Sequence, residues 1–182
     1  MTFELPSPPK NGRIDKYEDE FRILFKKLKT SNFSEVELFE DFILRIFKDC
    51  RVYLKNELGA SFPDIQLTFF YNKDEYIKRL KELDLSFGRT RLYTMAQTFN
   101  LGAGYNIYIS IQDHFKGDFV VNLCVSFIEE LIHIIDHKKS EMQIHDTVCS
   151  MLEGFLEVKL SEEIKNERLR YSKKCEYFGS YH

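Results

Sequence analysis

The stretch 122–137 is apolar except for Asn122, Ser126, Glu129, Glu130, His133, Asp136 and His137. Wound as an α-helix at about 100° per residue, all seven fall within one arc of about 120°. Such a helix is buried on most sides and carries a single polar strip. Two glutamates and two histidines share that strip at i, i+3 and i+4 spacings, which let side chains converge. Carboxylates and imidazoles so placed can grip a divalent metal or move a proton. The wheel alone supports a plain solvent-facing strip equally well, because a central helix needs polar residues wherever it meets water.

The local order Ser126-Phe-Ile-Glu-Glu-Leu-Ile-His-Ile-Ile-Asp136 resembles the active-site helix of zincin metallopeptidases, whose signature is H-E-x-x-H inside an apolar helix. In that signature two ligands one turn apart hold the metal, and the glutamate reaches a metal-bound water as general base. The resemblance implies that Glu130 is the catalytic base and His133 a metal ligand. Asp136 takes the position just beyond, often small or acidic. Glu129 stands where the family has its first histidine. A carboxylate binds zinc at a similar distance, so the resemblance implies Glu129 as an oxygen ligand. It also adds negative charge, which weakens the metal as a Lewis acid and changes which metal is preferred. The expectation is therefore a metallopeptidase-like protein with weakened or lost peptidase activity, its cofactor zinc or another divalent metal.

In the gluzincin branch the third ligand is a glutamate on the following helix. Glu153 falls in that place, with Glu157 one turn further on. His145 competes with it: if the last helix starts at Ser140, whose partner Gln143 completes a capping box, His145 lies on the core face among Val148, Leu152 and Leu156. If the helix starts at Asp146, Glu153 is on its second turn. Both starts remain open at this level. A different frame reads His133 and His137 as an i, i+4 metal pair without a base. Glu130 and His133 also form an E-x-x-H, half of a di-iron helix-bundle site, but no second copy accompanies it.

The elements that must position these residues follow from periodicity. A helix is expected over 15–29, with Tyr17, Phe21, Leu24 and Leu28 on one face. A second runs over 34–58, opened by a capping box at Ser34 and Glu37 and ended by Gly59. The alternating stretch 64–71 is a strand, and Asn72 caps a short helix with Tyr76, Ile77, Leu80 and Leu83 on one side. Strands are expected over 89–99 and 106–111, joined by Leu101-Gly-Ala-Gly104, which lacks the signature of a phosphate loop. Asp118 caps the buried helix, which reaches about 137, and one last long helix ends near 170. This order predicts an α+β fold. The resemblance, which covers about 65–157, implies a zincin-like short, mostly antiparallel sheet packed on the buried active-site helix, with extra N-terminal helices. The expected organisation is a loose leader (1–14), an N-terminal helical segment (15–60), the zincin-like domain (61–170) and a C-terminal tail (171–182). Zincins place an antiparallel edge strand just before the active-site helix to pair with an extended peptide substrate. The resemblance gives that role to 106–111.

Composition narrows the alternatives. The 182 residues are 43% hydrophobic and 30% charged, with a net charge of −3, an ordinary globular profile. No extended basic stripe marks a nucleic-acid surface, and the densest basic stretch, 168–174, reads as a solvated helix face. No apolar run approaches the ~18 residues that cross a membrane. The N-terminus lacks the apolar centre of a secretion signal, and Cys50, Cys124, Cys149 and Cys175 form no C-x-x-C pair. Reduced thiols and a cytoplasmic location are expected. His114 reads as a surface loop residue. Beside a peptidase descendant acting on an extended peptide stand two other readings. One is a non-catalytic domain of the same fold that binds a protein partner. The other is a metal-binding helical protein using His133 and His137.

Overall fold

The computed structural model describes residues 12–28, 33–87 and 95–178, which form an α+β fold. Helix α1 (Arg13–Leu28) buries Ile14, Tyr17 and Leu24. Helix α2 (Phe33–Leu58) buries Phe39, Phe42, Ile43, Ile46, Phe47, Cys50 and Leu54, the helical spacing of a core-facing stripe. It ends at Gly59, whose φ of +62° suits a residue without Cβ. These helices belong to the main core. Phe21 stacks on Phe119 with ring centroids 4.7 Å apart, and Tyr17 lies between Phe42 and Phe155. Fully burying one such ring contributes about 1.5–3 kcal/mol, whereas an exposed pair such as Arg45–Glu20 contributes about 0–1 kcal/mol. Apolar burial is what seats the N-terminal helices.

Strand β1 (Ile65–Phe70) leads into α3 (Lys73–Phe87), where Asn72 Oδ1 accepts from Asp74 N–H at 2.7 Å. At fifteen residues α3 is longer than the short helix expected there. Strand β2 (Ala96–Asn100) turns through Gly102, at φ +87°, into β3 (Tyr105–Ser110). Of the strand expected over 89–99, residues 89–94 lie outside the described residues. The sheet order is β1-β3-β2, with β1 parallel and β2 antiparallel to β3. The sheet is therefore mixed, not mostly antiparallel, because a parallel pair needs a crossover and α3 supplies it. It also corrects the place of the strand at 106–111. That strand is central, hydrogen-bonded on both sides, and has no edge to offer a peptide.

One sheet face packs against α3 through Phe70, Phe99 and Tyr108 on Tyr76 and Leu80. The other face sends Ala96, Ile107 and Ile109 into the main core. The single turn α4 (Ile111–His114) precedes α5 (Phe119–Ile135), whose first turn is closed by Val121 N–H donating to Asp118 Oδ1 at 3.1 Å. Helix α6 (Glu141–Leu156) starts at Ser140, with both bonds of the capping box to Gln143 present. The long terminal helix expected from the sequence is instead two. Glu157 takes a left-handed conformation at φ 60°, Ser161 Oγ accepts from Ile164 N–H, and α7 (Glu162–Phe178) begins. The helix thus continues through 171–178, where a tail was expected. Gly154 lets α2 approach α6: a Cβ there would stand 2.0 Å from Tyr53 Oη. Among the described residues no helix is long and apolar enough to cross a membrane.

Candidate functional site

The polar strip of α5 is not open. Ser126, Glu129 and Glu130 are buried, roofed by β2, α6 and α7. Glu130, the expected base, accepts from Thr98 Oγ1 of β2 at 2.5 Å. Glu129 accepts from Arg168 Nη2 of α7 at 2.8 Å, the two side chains only 10% and 13% exposed. His133 Nε2 lies 3.1 Å from Glu141 Oε1 in the first turn of α6, close enough for an ion pair though not aligned as a hydrogen bond. Glu141 is itself buried and hydrogen-bonds Glu129. So α5 brings Glu129 and His133 to one place, and the acidic group that meets them is Glu141.

Burial, first, and the neighbouring Glu141, second, push Glu129 up to about 8, against the pull of Arg168 and His133. The physical reason is charge balance. Two carboxyl groups in contact away from water cannot both ionise cheaply. One proton kept between them leaves a single negative charge for the guanidinium to neutralise.

Glu153 goes elsewhere. Its Oε1 accepts from Leu160 N–H at 3.2 Å and pairs with Lys165 Nζ at 2.9 Å, tying the α6–α7 turn together. The sequence could not place it there, because the break after Leu156 depends on one left-handed residue. His145, the competing third ligand, has its Nε2 3.8 Å from Cys149 Sγ, one turn along its own helix. His137 is exposed beyond the end of α5, with Asp136 already out of helical geometry. The i, i+4 relation of His133 and His137 is thereby lost.

Among the described residues no group of three His, Cys, Asp or Glu side chains is arranged to hold a metal ion. Zinc, which the resemblance implies, does not fit the side chains as they stand. A guanidinium neutralises Glu129, and Glu153 is held by Lys165.

Three residues of this network escaped sequence reasoning. Arg168 sat within a basic stretch read as solvated. Glu141 follows the Ser140 cap, and that position alone faces it back toward α5. Thr98 carried no signal beyond strand alternation. A fourth, His114, is fully buried instead of at the surface. Its Nδ1 lies 2.6 Å from Ser110 O and its Nε2 2.8 Å from Ser126 Oγ, because α4 folds it under the strip. Burial lowers it to about 4, so it stays neutral. Compared with protein-family models, with curated proteins and with solved structures, the chain matches none.

Proposed function

We propose that this chain is a zincin-like domain that has lost peptidase chemistry and serves to bind a protein partner. The observation that carries the reading is the occupation of Glu129 by Arg168. A metallopeptidase needs a strong Lewis acid beside its general base. Here the charge opposite Glu129 is an arginine, which polarises no water and opens no coordination position. The engagement of Glu130 by Thr98 and of Glu153 by Lys165 supports the same reading.

The partner surface we assign is the outer side of β2, an edge strand among the described residues, for an extended peptide. The β2–β3 register sums to pairs in which Met95 bonds Ser110 and Leu101 bonds Gly104. Alternation along an antiparallel pair then turns the N–H and C=O of Ala96, Thr98 and Asn100 away from β3, the geometry by which an added strand binds.

Metal content of protein purified without a histidine tag tests the first part. The expected result is no stoichiometric metal, and no cleavage of unfolded casein that Glu130→Gln abolishes. Bound metal lost in His133→Ala, together with cleavage lost in Glu130→Gln, overturns it. Casein is also the probe for the edge: it is expected to bind uncleaved, and more weakly to Asn100→Pro, which lacks an outward N–H.

A further inference from the structure

We propose that α7 is a strap closing the polar strip of α5, held by the basic pair Lys165 and Arg168. The proposal rests on the non-catalytic reading in one respect only, that Glu129 and Glu153 do not serve a metal.

Lys165 and Arg168 are three residues apart and so share one face of α7. Each takes a carboxylate from a different helix. Lys165 pairs with Glu153 of α6 at 2.9 Å, and Arg168 reaches past α6 to Glu129 of α5 at 2.8 Å. Both glutamates that the sequence pattern assigns to a metal are thus attachment points for this helix.

Among the described side chains of α7 the only buried one is Ser172, while Ile164 is partly buried against the core. The buried leucine of this region, Leu160, precedes the helix. The main neighbour of α7 is α6, so Arg168 is its long reach to the strip. An element packed mainly on one neighbour opens locally at lower cost than one enclosed by the core. The inner pair is nearly dry, with Arg168 13% exposed, and the outer pair is wetter, with Lys165 33% exposed. Arg168 is therefore the main catch and Lys165 the accessory one. With α7 lifted, Glu129, Glu141 and His133 face solvent as an acidic strip. With α7 down, they are closed off.

Hydrogen exchange read by mass spectrometry on the full chain tests this. In the variant carrying Lys165→Gln and Arg168→Gln, amides of 162–178 are expected to exchange at least tenfold faster, with those of 119–135 unchanged. Wild-type protection of 162–178 overturns the proposal. So does parallel loss of protection in 119–135, which makes α7 part of the cooperative core. Should that variant fail to fold, Glu153→Gln tests the outer catch alone: faster exchange confined to the first turns of α7 supports the strap, and wild-type rates there overturn the two-point hold. Metal content is measured on the same samples. Stoichiometric zinc in the wild-type protein sinks the non-catalytic reading, whereas metal-free protein with an unmoved α7 sinks the strap alone.

Discussion

Arg168 of α7 and Glu129 of α5, thirty-nine positions apart in the chain, meet at 2.8 Å with both side chains almost excluded from water. Removing one member of such a pair strands the other. Because a lifted α7 lets water reach the stranded carboxyls, Arg168→Met is expected to cost well under the roughly 3–5 kcal/mol of a pair sealed in the core, with the loss confined to α7. The double variant Glu129→Gln with Arg168→Met should recover part of that loss, since the side chain at 129 no longer needs a counter-charge while Glu141 keeps its contact with His133. Urea unfolding of all four proteins gives the coupling energy, and a coupling near zero rules out the pair as an energetic unit.

The same cluster makes stability depend on pH. Glu129 is raised from 4.5 to about 8 in the folded state, so the folded protein holds a proton that the unfolded chain releases. That contribution is full below the unfolded value and is lost as pH rises toward 8. Glu18, raised to about 7 by burial and by Asp118, acts in the same direction over a narrower range. His114, lowered to about 4 by burial, opposes them: its contribution is lost as pH falls from its ordinary value through 4. The Glu129 share is isolated by comparison with Glu129→Gln. From pH 6 to pH 8.5 the wild type should lose stability relative to the variant; a gain would refute the assignment.

His114 has both ring nitrogens in contact with protein oxygens inside the core. His114→Phe leaves Ser126 Oγ without its imidazole, at a cost of about 1–3 kcal/mol for a buried polar group stranded this way. Calorimetry of the variant at pH 7 measures the loss. Adding Ser126→Ala should return part of it, and no recovery would mean that the imidazole acts only by filling space.

Gly154 is where α6 admits the Tyr53 hydroxyl. Gly154→Ala favours the helix by roughly 1 kcal/mol on propensity alone. Displacing Tyr53 from its edge-on contact with Phe155, at 5.6 Å, works against that gain, and overpacking costs about 1–3 kcal/mol. A net loss in Gly154→Ala is expected, with the propensity gain reappearing when Tyr53→Phe removes the hydroxyl. Unchanged or raised stability in the single variant would show that the ring swings aside freely.

Local order was legible in the sequence. The capping groups at Asn72 and Asp118, the stop at Gly59, the strand 65–70 and the apolar girth of α5 all follow from spacing within a few residues, whereas the start of α6 at Ser140 was one of two that spacing allowed. Each is set by interactions the chain makes with its own neighbours. The α+β class follows from their order. What pattern could not decide was which distant groups share the strip. A parallel partner for β3, a left-handed Glu157, and an arginine lying on Glu129 depend on contacts far apart in the chain. A polar stripe reads the same whether water, a metal or a guanidinium lies opposite it. Only tertiary packing chooses, because a buried carboxylate must find whichever counter-charge the fold carries to it.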